Sequence, residues 1–192
     1  MINELEYYIK SYFGVVNAED IQKISSLFKL VTFKKGDFFL EKSRQSKALC
    51  FVQSGVLRVF TTTEKKDITQ WIAQKGYFVA DLPSFVFESP SRWTIQALVD
   101  TEIYSISDVD YNKLETLIPK WNHLEKLFIV RCFSMMEDRI FSHLSMTAEE
   151  RYYLFFENNK ILFNQIPLQY IASVLGMTPE TLSRIRKKAL IS

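Results

Sequence analysis

Between Ile166 and Lys188 the chain reads IPLQYIASVLGMTPETLSRIRKK, two short apolar runs at helical spacing hinged on one glycine. Ile171, Val174 and Leu175 precede Gly176, and Met177, Leu182 and Ile185 follow it, which predicts helix, tight turn, helix. Ala172 stands four residues before the glycine, where only a small side chain lets two steeply crossed helices approach. Gly176 itself can take the positive φ that closes the turn. Thr178 is the expected N-cap of the second helix, with Pro179 at its first position, where a missing N–H costs nothing. The outward face of that helix carries Glu180, Thr181, Ser183, Arg184, Lys187 and Lys188, groups that read base edges or hold phosphates.

These residues resemble the helix-turn-helix of the Crp/Fnr family of bacterial transcription regulators, in which a cyclic-nucleotide-binding-type β-roll precedes a C-terminal helix-turn-helix. The resemblance implies that Glu180 and Arg184, four residues apart on one helix face, read the major groove. The family position just before the glutamate, often arginine, is Pro179 here, so one base contact is lost. Gln169, Thr178, Ser183, Lys187 and Lys188 are the candidates for phosphate or peripheral contacts.

Upstream, residues 2–13 and 18–29 read as helices. Ile2, Leu5, Tyr8, Ile9 and Tyr12 mark the apolar face of one, and Ile21, Ile24, Leu27 and Phe28 that of the other, with Asn17 as its cap. From Leu30 the period changes. Phe33, Phe38 and Leu40, then Ala48 to Val52, Val56 to Phe60 and Ile68 to Ile72 form short β-rich runs with turns at Gly36, Gly55 and Gly76 between them, the pattern of an antiparallel sandwich or barrel. KKGDFFLEKSRQSKALCFVQSGVLRVF is similar to the first half of the Crp/Fnr β-roll, and Trp93 to Ile106 supply closing strands, so the roll spans roughly residues 30–107.

GYFVADLPSF aligns with the start of the family's phosphate cassette, a Gly-Glu pair followed by Arg-Ser. Here Ala80 replaces the glycine, the shorter Asp81 replaces the glutamate, Pro83 removes a backbone donor, and the Arg-Ser positions fall on Ser91 and Arg92. One residue of displacement on a strand turns Arg92 to the opposite face. Phe78, Asp81, Leu82, Ser91 and Arg92 are therefore candidate effector-pocket residues, but cyclic AMP is not expected in the family's usual way. An Asp81–Arg92 pair is the remaining route to an anionic ligand, and the apolar lining suggested by Phe78, Leu82, Phe85 and Phe87 packs as core or accepts an uncharged ligand.

Asp108 to Leu117 reads as a short helix before Pro119, and a long one follows from Trp121 to about Ser145. In Leu127 to Met136 only Arg131 and Ser134 are polar, so this helix should be buried on two sides, one against the roll and one against the same helix of a second copy, with core packing within one large domain as the alternative. Leu124, Leu127, Phe128, Arg131 and Met135 are the expected dimer-interface residues. Thr147, with Glu149 and Glu150, starts a helix from Ala148 to about Glu157. Lys160 to Gln165 then form a connector, too short for the family's β-hairpin wing, and the chain stops at Ser192.

The expected architecture is α+β: an antiparallel β-roll (double-stranded β-helix or jelly-roll) with flanking helices, a long dimerisation helix and an all-α helix-turn-helix domain. The division is 1–118 for N-terminal helices and sensor roll, 119–145 for the dimer helix and 146–192 for the DNA-binding domain. Net charge is only +2, yet Arg184, Arg186, Lys187 and Lys188 face Glu180 alone in the C-terminal segment, where a polyanion would dock. Double-stranded DNA, a second copy of the chain and RNA polymerase are the partners implied.

Cys50 and Cys132 lie far apart in apolar surroundings and read as buried free thiols of a reducing cytoplasm. Neither a signal peptide nor a membrane-length apolar run is read. No catalytic centre, metal site, haem or iron–sulfur cluster is expected. His123 and His143 sit twenty residues apart on one helix, two cysteines cannot hold a four-thiolate cluster, and phosphate-loop and nucleophile-elbow spacings are missing. A cupin-like enzyme and an effector module acting through protein contacts are the alternatives; salt-dependent DNA binding separates the latter from the regulator reading.

Overall fold

The computed structural model describes residues 4–14 and 16–189; Ile2 and Ser192 lie outside them. Helices α1 (Glu4–Phe13) and α2 (Ala18–Ser26) lead into strands β1 (Lys29–Phe33), β2 (Phe38–Leu40), β3 (Ala48–Ser54), β4 (Leu57–Thr62), β5 (Asp67–Ala73) and β6 (Phe78–Val79). A short helix α3 (Leu82–Phe87) precedes β7 (Thr94–Ala97) and β8 (Thr101–Ser107). Then come α4 (Asp108–Leu117), α5 (Trp121–Ser145), α6 (Ala148–Asn159), α7 (Leu162–Gln165), α8 (Leu168–Val174) and α9 (Pro179–Ala189).

The strands form two four-stranded antiparallel sheets, in the orders β1-β8-β3-β6 and β2-β7-β4-β5. β3 is covered on both faces, which is why its sequence runs LCFV without alternation. Cys50 and Val52 pack between the sheets with Leu57, Val59, Ile95 and Ile103. Leu49 and Phe51 face the other way, into a layer built by Ile9, Phe13, Ile24, Leu114 and Phe128. Phe128 is its keystone, stacked on Phe13 at 4.8 Å between centroids and edge-on to Phe78 at 4.6 Å.

Two boundaries differ from expectation. The second helix stops at Ser26, capped by Leu27, because Lys29 already pairs with Ser105 as β1 joins β8. The connector 160–165 contains the short helix α7, which buries Leu162 and Phe163 beneath α6. Cys50 is buried as expected, whereas Cys132 is only half-buried.

The last four helices share one apolar cluster with Val56, Ile72 and Leu98 of the roll. Polar contacts reinforce that junction. The Arg58 guanidinium lies between the Phe60 ring (4.0 Å) and the Tyr170 ring (3.8 Å) and donates to Asp67 and Thr69. The Thr69 N–H donates to the Ser173 hydroxyl at 2.9 Å, fastening α8 to β5. Arg139 donates to the carbonyls of Gln70 and Val174, and Arg151 to that of Leu175, so two cations satisfy the carbonyl end of α8.

Candidate functional site

The turn between α8 and α9 is a Schellman closure. Met177 N–H donates to Ala172 C=O (3.0 Å), Gly176 N–H to Ser173 C=O (3.1 Å), and Gly176 has φ +67°. Ala172 is fully buried at the crossing. Thr178 caps α9 as its composition implied, its hydroxyl accepting from Thr181 N–H at 3.2 Å. Leu182 and Ile185 point into the protein.

On the other side Pro179, Glu180, Ser183, Arg184 and Lys187 line an open, shallow concavity. Glu180, Ser183, Arg184 and Lys187 recur at i, i+3, i+4 and i+7 and are all exposed, so one face presents a carboxylate, a hydroxyl and two cations. Hydrogen bonds from its own backbone N–H and then from the Thr178 hydroxyl hold the Glu180 carboxyl below its ordinary range. Gln169 is exposed on α8, and Thr181 is half-buried. Lys188 is exposed, and its ammonium also pairs with Glu149 at 3.0 Å, since α9 packs beside the start of α6. Arg186 is half-buried, its guanidinium 5.7 Å from the Phe163 ring centre.

The expected effector residues separate into two groups. Phe78 and Leu82 line a cavity of about 150 Å³ between the roll and α5. Asp81, Ser91 and Arg92 do not. Asp81 is buried, accepts the Ser91 hydroxyl at 2.6 Å and caps α3 by accepting Ser84 N–H at 3.2 Å, so its carboxylate serves the loop's own structure. Ser91 also accepts Trp93 N–H. Arg92 is exposed, 5.9 Å from the Trp93 ring centre, and the Asp81–Arg92 pair does not form.

Two of the expected dimer-seam residues turn inward instead. Leu124 and Phe128 are buried in their own chain's core, on the α5 face that meets α1 and β6. Met135 lies toward the roll with Trp71, and Arg131 borders a groove with Lys75 and Tyr77. Leu127 is partly exposed, near Gly14. The open apolar stripe consists instead of Ile129, Phe133, Met136, Ile140 and Leu144, with Phe133 61% and Leu144 81% exposed. These positions are spaced by three and four residues, a stripe at helical period. The sequence carried that signal in its apolar run; which side of the run faces the roll was decided by Trp121 and Phe128 docking onto α1.

An antiparallel β-roll with a long helix and a terminal helical unit defines the class, and comparison with known proteins agrees. Residues 30–116 match the family model of the cyclic nucleotide-binding domain. Solved structures of Crp/Fnr-type regulators share the fold. The c-di-GMP-responsive global regulator CLP of Xanthomonas campestris is 14% identical with a TM-score of 0.65, over 91% of this chain and 92% of that one. FixK2 of Bradyrhizobium japonicum is 15% identical with a TM-score of 0.66, over 84% and 83%. The catabolite activator protein of Thermus thermophilus is 22% identical with a TM-score of 0.57, over 92% and 85%. At these identities the likeness is one of fold. No curated protein matches the chain. Among the described residues no helix is long and apolar enough to cross a membrane, and no group of His, Cys, Asp or Glu could hold a metal ion.

Proposed function

We propose that the chain is a cytoplasmic, homodimeric, sequence-specific DNA-binding regulator of transcription of the Crp/Fnr type, without enzymatic activity of its own. The observation that carries this reading is the face of α9. Glu180, Ser183, Arg184 and Lys187 stand exposed on one side of a capped helix whose opposite side is buried. In this reading α8 and α9 are a helix-turn-helix and α9 enters the major groove of double-stranded DNA. Arg184 then makes two parallel hydrogen bonds to a guanine, and Glu180 accepts from a cytosine. Lys187 holds phosphate, with Gln169 and Thr178 at the periphery. The open stripe of α5 supports pairing with a second copy, hence a two-fold operator with half-sites about one helical turn apart. Residues 1–118 act as sensor, 119–145 as dimer helix and 146–192 as DNA-binding domain, with RNA polymerase as a further partner.

Selection of bound sites from random duplex DNA, followed by anisotropy titrations at several salt concentrations, tests the reading. Arg184→Ala should cost about 1–3 kcal/mol on the selected site and relax preference at one base pair. Lys187→Ala should weaken all sequences alike and flatten the salt slope by about one. Equal losses on selected and random DNA for both variants would contradict the assigned roles.

A further inference from the structure

The cavity between the roll and α5 has a lining unlike that of an anion site. Val59, Trp71, Phe78, Leu82, Cys132 and Met136 supply most of its wall. Gln70 and Tyr12 are its polar members, and the Tyr12 hydroxyl already accepts Phe78 N–H at 3.1 Å. Among the described residues no charged side chain lines it. A phosphodiester placed against this wall would give up part of its hydration without gaining a cation, which is unfavourable. Asp81 is committed to Ser91 and the α3 cap, Arg92 lies at the outer surface, and Arg131 of α5 borders the adjoining groove with Tyr12 and Lys75, outside the cavity lining.

We propose that this cavity binds a small uncharged apolar molecule, about one aromatic ring in size, and not a cyclic nucleotide. This deepens the regulator reading above by naming its effector class. Apolar cavities of about 150 Å³ take up benzene-sized guests, and this one opens at its mouth to solvent, which leaves such a guest a way in. The wall here is adaptable as well as apolar, since Met135 and Met136 are flexible and thioether sulfur packs well against rings. Burial pushes the Cys132 thiol up to about 11, so it stays protonated and adds no charge. The guest would also touch the helix that matters for assembly. Cys132, Met135 and Met136 belong to α5, and Met136 reaches both the cavity and the open apolar stripe.

The test uses the purified full chain with benzene as probe and cyclic AMP and cyclic GMP as the contrasting ligands, read by thermal unfolding and ligand-observed NMR. Benzene at about ten times its dissociation constant should raise the midpoint by roughly 3 °C, and the nucleotides should leave it unchanged. Cys132→Phe, which fills the cavity from α5, should abolish the benzene shift. Ala80→Leu fills it from the loop and serves if the first variant does not fold. Absence of a benzene shift, persistence of the shift in the filled variants, or saturable micromolar binding of either nucleotide would overturn the proposal. Neither readout needs DNA. A chain that takes up benzene but binds no duplex sinks the regulator reading and leaves this one standing, whereas one that binds its operator but excludes benzene does the reverse.

Discussion

Two glycines that look alike in the sequence as turn residues have different surroundings. Gly55 (φ +85°) lies against β8: a Cβ added there would come within 2.5 Å of the Asp100 carbonyl oxygen, which the backbone cannot relieve cheaply. At Gly176 (φ +67°) an added Cβ meets the His143 ring at 3.3 Å, and a side chain can give way. Both alanine variants bear about 1–2 kcal/mol for a left-handed backbone. We expect Gly176→Ala to lose about that much and Gly55→Ala clearly more in urea unfolding; equal losses would show that the β8 contact yields. The need for glycine was legible in composition and spacing. The neighbour each one touches was not, because Asp100 and His143 arrive from distant parts of the chain.

At the scale of elements, α5 offers the sharpest contrast. Phe128 and Phe133 are both phenylalanines in one apolar run, yet the first is enclosed and the second open. Phe128→Ala should cost about 3–5 kcal/mol of folding stability by leaving a cavity. If the open stripe pairs two copies as proposed, Phe133→Glu should leave the fold intact and split the dimer, because an unpaired charge at a buried seam is costly. Sedimentation with chemical denaturation decides it, and a wild-type chain that is monomeric at micromolar concentration would remove the seam.

Helix α6 starts with a complete capping box: the Thr147 hydroxyl accepts Glu150 N–H, and the Glu150 carboxylate accepts Thr147 N–H. That N–H first, and then the Thr147 hydroxyl, lower the Glu150 pKa from 4.5. A depressed folded pKa means that the contribution is full above the unfolded value and is lost as pH falls through the lower folded one. Glu150→Gln keeps the box without the titration. The stability difference between wild type and this variant should be constant above about pH 5 and shrink in acid; a difference that stays flat into acid would rule the linkage out.

Across the whole molecule, the question is how firmly the C-terminal helices hold to the roll. Arg58 is 2% exposed and carries charge into the junction, where burial lowers its pKa and Asp67 works against that shift. Arg58→Met should cost about 1–3 kcal/mol, less than a fully buried pair would, because the Asp67 side chain can rehydrate. Exchange protection of the Thr69 amide, bonded to Ser173, should fall with it. Unchanged protection would mean that Tyr170 and the apolar cluster alone hold α8 in place.

Local features were legible in the order of the residues. The change of period at Leu30, the caps at Asn17, Thr147 and Thr178, the Gly176 closure and the polar face of α9 follow from backbone chemistry within a few residues, and each is present in the structure. Which side of the apolar α5 run is core emerged from packing, because a helix apolar all round carries no internal mark of direction. It alone turned Asp81 into a cap, gave Lys188 to Glu149 and lodged Arg58 between Phe60 and Tyr170. Those outcomes depend on which partners arrive within hydrogen-bonding reach. Arg58 and Tyr170 lie over a hundred positions apart in the chain, a separation at which spacing in the sequence says nothing about distance.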